Sequence, residues 1–189
     1  NAVKPMMDEK NIDFEVDNSR AVMAVINVDA MRVEEIFINL LSNAAKFTPE
    51  GGRVELIVEC EKLEKYSVHD RVIIRDNGVG ISPEFLPKIF EPFAQERTAS
   101  TANIGGTGLG LSIVEGLVKM MGGTIEVESS LGQGTQFTLH LSFQRVDDMP
   151  GVMKSDGRYT PGELSGMRVL LCEDNAMNTE IAKILLEMH

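Results

Sequence analysis

The stretch Gly105-Gly106-Thr107-Gly108-Leu109-Gly110-Leu111-Ser112 places four glycines in six positions, directly ahead of an apolar helical run. Glycines that dense belong where the backbone comes close to another group, and before a helix that group is most often a phosphate. Two common phosphate-binding patterns fail here. In G-x-x-x-x-G-K-[ST], Gly105, Gly110 and Ser112 are correctly spaced, but Leu111 stands where the charge-neutralising lysine is required. In G-x-G-x-x-G, the third glycine counted from Gly106 or Gly108 falls on Leu111 or Ile113, and the preceding RTASTANI is too polar for a buried strand. The glycines alone leave the device open.

The bulk properties narrow the choice. The chain has 189 residues, 43% of them hydrophobic, enough for one ordinary domain and something extra. Lys and Arg number 18 against 29 Asp and Glu, a formal charge of -11. So acidic a surface argues against nucleic acid or an anionic membrane as the main partner, and a bound polyphosphate would need a cation or helix N-termini beside it. No apolar run approaches the roughly 20 residues of a membrane span, and no signal peptide opens the chain. Cys60 and Cys172 lie in separate strand-like runs, which favours two buried thiols in a reducing compartment over a disulfide. The pattern begins and stops abruptly, as in an excerpt of something longer.

Residues 12–16 alternate like a strand, and 21–28 form a second candidate. Asp29 is placed to cap a helix over 30–47, with Val33, Ile36, Phe37, Leu40, Leu41 and Ala44 at helical spacing. After the turn TPEGG, strands are predicted at 53–60 and 72–76, joined by the charged EKLEKYSVHD. A loop and short helix follow, then a polar span over 94–108 long enough to be a functional flap. A helix over 109–121 and strands at 124–129 and 136–143 complete an α/β sandwich, one helical layer over one mixed, mostly antiparallel sheet. Residues 144–166 have a linker's composition. MRVLLCEDN then reads as a buried parallel strand leading into a helix at 177–188, the first βα unit of a doubly wound domain.

Four pieces can carry chemistry. Asn39, Asn43 and Lys46 are spaced four and three apart, on one side of the 30–47 helix. Asparagine amides there suit a hydrated Mg²⁺ and its phosphates, and equally suit an ordinary solvated helix face. Asp76-Asn77-Gly78-Val79-Gly80 ends an apolar strand. Its carboxylate could accept from an exocyclic amine, although D-N-G is also plain turn chemistry. KIFEPFAQ puts Phe90 and Phe93 three apart, a spacing typical of core residues, at the root of the flap. The glycine stretch, followed by Gly132-Gln133-Gly134-Thr135, is the fourth.

In this order and spacing the four resemble one family, the ATP-binding domain shared by sensor histidine kinases, gyrase-type topoisomerases, chaperone ATPases and mismatch-repair ATPases. NLLSNAAKFTPEGG (39–52) is similar to its N box, DNGVGI (76–81) to its first glycine box and IFEPFAQ (89–95) to its F box. GGTGLGLSIV (105–114) and GQGTQFTLHL (132–141) resemble the later glycine boxes. The resemblance covers residues 12–143 and implies ATP with Mg²⁺, under a lid hinged at its glycines. It implies Asn43 as Mg²⁺ ligand with Asn39 assisting, Lys46 on phosphate, and Asp76 on the adenine amine with Gly78, Gly80 and Ile81 beside the base. Phe90 would border the nucleotide. Gly106, Thr107, Gly108, Leu109, Gly110 and Leu111 would enclose the phosphates, and Thr135 would hold Asp76 or the adenine edge.

Members that hydrolyse ATP quickly carry a glutamate base at the position of Asn39, and asparagine cannot replace it. Together with the F box, this points to the sensor histidine kinase branch. The tail VLLCEDNAMNTEIAKILLE (169–187) resembles the start of a response-regulator receiver domain, with Glu173 and Asp174 as its acidic Mg²⁺ pair. The resemblance therefore implies a hybrid kinase: a catalytic domain over 1–143, a linker over 144–166 and a receiver fragment over 167–189. Its partners would be an upstream dimerisation domain bearing the phosphoacceptor histidine, the receiver, and a response regulator or phosphotransfer protein. It implies a cytoplasmic location, either free or as the cytoplasmic part of a membrane-bound sensor. None of His69, His140 and His189 has the helical acidic-basic context of a phosphoacceptor. An anti-sigma-type serine kinase and a non-catalytic ATP-sensing module share the same nucleotide fold and stand as alternatives.

Overall fold

A computed structural model describes residues 3–96 and 105–146. The linker, the receiver-like tail with Glu173 and Asp174, Cys172, His189 and the middle of the flap lie outside the described residues.

The element order is α1 (Lys4–Glu9), β1 (Asp13–Arg20), β2 (Ile26–Asn27), α2 (Ala30–Phe47), β3 (Arg53–Leu63), β4 (Ser67–Asp76), a 3-10 turn (Leu86–Lys88), α3 (Gly110–Met120), β5 (Thr124–Ser130) and β6 (Gly134–Arg145). The strands form one sheet in the order β1-β3-β4-β6-β2, with β5 also paired to β6. Only β1 and β3 run parallel; the remaining pairings are antiparallel. This is the expected helical layer over a mixed sheet.

The helix α2 forms where its cap and stripe predict it. Asp29 Oδ1 accepts the Arg32 amide at 3.3 Å, and Ile36, Leu40, Leu41, Ala44 and Ala45 are buried on one face. Thr48 takes an extended conformation and ends the helix before Pro49. From α3, Val114 and Val118 reach the same core. They meet the inward rows of the sheet, among them Val54, Ile74 and Leu139, none more than 1% exposed. Each such side chain contributes roughly 1.5–3 kcal/mol by leaving water, so this layer fixes where the polar edge of α2 must stand.

Three expectations are corrected. The second strand is only Ile26–Asn27, not 21–28, because Val22, Met23 and Val25 stay exposed rather than covering a core. The charged connection after β3 is mostly strand: β3 runs to Leu63 and β4 starts at Ser67. Charges from β1, β3 and β4 line the other face of the sheet, where Glu59 is 4% exposed beneath Arg71 and Arg20. The Arg71 hydrogen bonds hold the Glu59 carboxyl below the usual carboxylate range. His140 shares that face, its Nδ1 3.0 Å from Glu61 Oε2. Helix α1 is the third, unforeseen in the sequence. Its Met7 is 1% exposed, and the following Lys10 donates to the carbonyls of Ala45, Lys46 and Thr48 at 2.8–2.9 Å, closing the C-terminal end of α2.

Candidate active site

A cleft of about 730 Å³ lies between α2, the loop after β4, the start of α3 and the residues flanking the described gap. It brings together Asn39, Asn43, Lys46, Asp76, Gly80, Ile81, Gly106, Thr107, Gly108, Gly110, Leu111 and Thr135 from the sequence-predicted set. The cleft follows α2. Near one end the loop after β4 is bound to Phe47, whose carbonyl accepts the Val79 amide at 3.2 Å. Near the other, a β-carbon built on Gly110 would lie 2.7 Å from Asn39 Oδ1. Eight residues of helix separate Asn39 from Phe47, about 12 Å at 1.5 Å per residue.

Asp76 is the last residue of β4 and is 8% exposed. Its Oδ1 accepts the Gly78 amide at 2.8 Å and the Thr135 amide at 3.3 Å. Among the described residues Oδ2 has no such partner, and Asp76 forms part of the cleft wall. Burial pushes the carboxyl above its ordinary value of 3.8, against the opposing pull of the two amides.

The backbone around Asp76 is tightly fitted. Gly80 has φ +69°, and a β-carbon there would fall 2.0 Å from the Ser130 carbonyl oxygen. Gly134 has φ +89°, and a β-carbon would fall 1.9 Å from the Asp76 carbonyl oxygen. Neither position admits a side chain. Asn77 turns away to accept the Arg53 amide at 2.7 Å, which fastens the loop to β3.

Along α2 the polar groups are less committed. Asn39 Nδ2 donates to the Glu35 carbonyl at 2.9 Å, within its own helix. Among the described residues the Asn43 carboxamide makes no hydrogen bond, and Lys46 Nζ stands 3.0 Å from where a β-carbon on Gly106 would be. Helix α3 begins behind Leu109, which provides no side-chain cap, so among the described residues no side chain caps its first amides, the groups that suit an anion. The residues flanking the gap are held together. Phe93 N–H donates to Gly108 O at 2.9 Å, and Gln95 Nε2 donates to Gly106 O at 2.7 Å.

Three sequence-predicted residues stand off the cleft wall. Gly78 is buried behind it, giving its amide to Asp76 and packing on the Phe47 carbonyl. Leu109 is the N-cap of α3. Phe90 packs against the hydrophobic core, so it supports the cleft from behind. Phe93, expected in the core, is 72% exposed with φ +66°, because its amide is tied to Gly108 and the chain turns there. Conversely, Ser42, Phe47, Phe85, Ile89, Gln95, Glu96 and Phe137 line the cleft without having been singled out as ligand contacts. Ile89 and Gln95 lie inside the F-box stretch and could have been included on that ground.

Residues 28–145 match the family model of the Histidine kinase-, DNA gyrase B-, and HSP90-like ATPase. The chain belongs to that family. Among curated relatives, this ATPase-family chain is 38% identical over 188 residues to the autoinducer 2 sensor kinase/phosphatase LuxQ of Vibrio parahaemolyticus, covering 97% of this chain and 22% of that protein. It is 40% identical over 156 residues to the sensor histidine kinase AruS of Pseudomonas aeruginosa, covering 82% and 15%. The chain thus spans less than a quarter of the length of either relative. Of solved structures, the mycobacterial sensor histidine kinase MprB aligns with a TM-score of 0.58 at 27% identity, covering 77% of this chain and 91% of that one. Full-length ShkA in complex with AMPPNP aligns with a TM-score of 0.61 at 33% identity, covering 77% and 28%. No helix among the described residues is long and apolar enough to cross a membrane.

Proposed function

We propose that this chain carries the catalytic, ATP-binding domain of a hybrid sensor histidine kinase, over residues 1–143, followed by a linker over 144–166 and the start of a receiver domain over 167–189. The observation that carries the reading is Asp76: one carboxylate oxygen is held by two amides and the other is left for a ligand in the same cleft as Asn39, Asn43, Lys46 and the α3 N-terminus. The likeness to sensor kinases supports the branch, and the LuxQ match extends through 97% of the chain, past residue 145.

The residues fit Mg·ATP. Asp76 Oδ2 accepts from the adenine amine, and its ionised form is the acceptor. Lys46 and the first amides of α3 face the phosphate chain, and the Asn43 carboxamide oxygen is the protein ligand to Mg²⁺. Among the described residues no group of three or more His, Cys, Asp or Glu is assembled; Asn43 would hold Mg²⁺ beside the phosphates, whose charge the ion would neutralise. When bound, Mg·ATP supplies the γ-phosphoryl group, and the acceptor is a histidine on the upstream dimerisation domain. Asn39 cannot take a proton from water, which disfavours hydrolysis relative to transfer. The protein's contribution is positioning and charge neutralisation. In the receiver part, Glu173 and Asp174 would supply the acidic pair for Mg²⁺, and the phosphoryl group would pass on to a response regulator or phosphotransfer protein.

The test is transfer of label from γ-labelled ATP to the separately produced upstream segment. The expected product is acid-labile and alkali-stable, as phosphohistidine is. Acid-stable label on serine would instead identify a serine kinase of the anti-sigma type. Firm ATP binding with no transfer to any segment of the full-length protein would identify a nucleotide-sensing module.

A further inference from the structure

Ser129, near the end of β5, lies behind the Asp76 end of the cleft and touches three groups. Its Oγ accepts the Ile81 amide at 2.9 Å and donates to the Gly134 carbonyl at 2.8 Å. It also stands 3.0 Å from Thr135 Oγ1. A serine hydroxyl has one proton and two lone pairs. A carbonyl oxygen can only accept, so the Ser129 proton is committed to Gly134. The contact with Thr135 must then use the threonine's proton. Ser129 is left with its donor and both acceptor positions filled. The Thr135 hydroxyl is locked with its proton turned back toward Ser129, which leaves it only lone pairs to offer a ligand in the cleft that Thr135 helps to line. Across the β4–β6 ladder Thr135 is the register partner of Asp76, whose uncommitted Oδ2 is a second acceptor.

We infer that Ser129 makes the base-binding end of the cleft an acceptor-only surface, and is the positioning residue that selects 6-amino purines over 6-oxo purines. This rests on the reading of Asp76 as the adenine contact. An exocyclic amine brings two protons to two acceptors. A carbonyl in its place sets lone pairs against the lone pairs of Asp76 and Thr135, with no proton between them. In a closed site such unmatched groups are strongly disfavoured. Ser129 does not touch the base; it acts by fixing the direction of the Thr135 hydroxyl. With Ser129 replaced by alanine, that hydroxyl is free to rotate and donate to a 6-oxo group.

Equilibrium binding of a non-hydrolysable ATP analogue and of its hypoxanthine counterpart, to the full 189-residue chain, tests this. The unsubstituted chain should prefer the amino purine by about a hundredfold or more. In Ser129→Ala the preference should fall to about tenfold or less, while the ATP analogue itself weakens only a few-fold. Thr135→Val, which removes the oriented acceptor, should lower the preference as well. A preference unchanged in Ser129→Ala would overturn the assignment even if both affinities dropped together, because a structural role alone moves both ligands equally. Should thermal unfolding show that Ser129→Ala does not fold, an unchanged preference in Thr135→Val would overturn it. Failure of the folded, unsubstituted chain to bind the ATP analogue would be a different result, overturning the adenine-site reading and with it this inference.

Discussion

At one end of the cleft, Asp76, Gly78, Ile81, Ser129, Gly134 and Thr135 form a closed set of hydrogen bonds on the ends of three strands. At the other, among the described residues Asn43 makes no hydrogen bond, and α3 starts without a side-chain cap. The first end is built from the protein's own hydrogen bonds, as the proposed function requires of a site for a base, whose fixed edges must be met by fixed atoms. The second leaves Asn43 and the start of α3 uncommitted, as the proposed function requires of a site that a metal and its phosphates would complete. The difference teaches where damage should be tolerated.

The largest contrast should come from two glycine substitutions. Gly80→Ala forces a side chain into left-handed backbone and against the Ser130 carbonyl, so it should cost about 2 kcal/mol or more and abolish nucleotide binding. Gly105→Ala, at the open end, meets nothing within 4 Å among the described residues and should stay within about 0.5 kcal/mol of the parent. Denaturant unfolding of the two variants checks both, and equal costs would break the comparison.

A smaller effect is expected at Asn43. Asn43→Ala should remove most of the gain in affinity that Mg²⁺ gives an ATP analogue, about tenfold, and leave adenosine binding unchanged. Titrations of both ligands with and without Mg²⁺ measure this directly. Loss of adenosine binding would mean that the two ends are not independent.

The smallest effect concerns pH. Burial raises the Asp76 carboxyl above its usual value, so the folded state holds that proton more tightly than the unfolded chain. The group's favourable contribution is therefore complete below about pH 3.8 and is lost as pH rises through the folded-state value. Asp76→Asn should gain stability relative to the parent between acid and neutral pH, seen as a Tm difference that grows over that interval. A difference that shrinks instead would mean the carboxylate stabilises the fold and is not held in reserve for a ligand.

Much of this architecture was legible because its signals are local. The cap at Asp29 and the apolar stripe from Val33 to Ala44 specify α2, and that in turn places Asn39, Asn43 and Lys46 on one edge. The charged composition hid the length of β3 and β4, since Glu61, Lys62 and His69 read as parts of a connection when they belong to the two strands of a ladder. Helix α1 spans only Lys4–Glu9, too short to show a helical period. Phe93 departs from the usual preference of its type for the core, because a turn tied to Gly108 carries it outward. Ser129 carried no signal. A serine at the end of a strand is unremarkable until the β5–β6 hairpin sets Gly134 and Thr135 beside it and the loop after β4 brings in Ile81 from far along the chain.

On the proposed function, one cleft joins a prebuilt adenine contact at Asp76 to a phosphate site that a metal completes. Calorimetric titration of a non-hydrolysable ATP analogue into the chain and into Asp76→Asn, with and without Mg²⁺, tests it most directly. Binding that strengthens with Mg²⁺ in the parent and falls at least about a hundredfold in the variant, with the fold intact, is the predicted result. Equal binding by parent and variant, or binding indifferent to Mg²⁺, would contradict it.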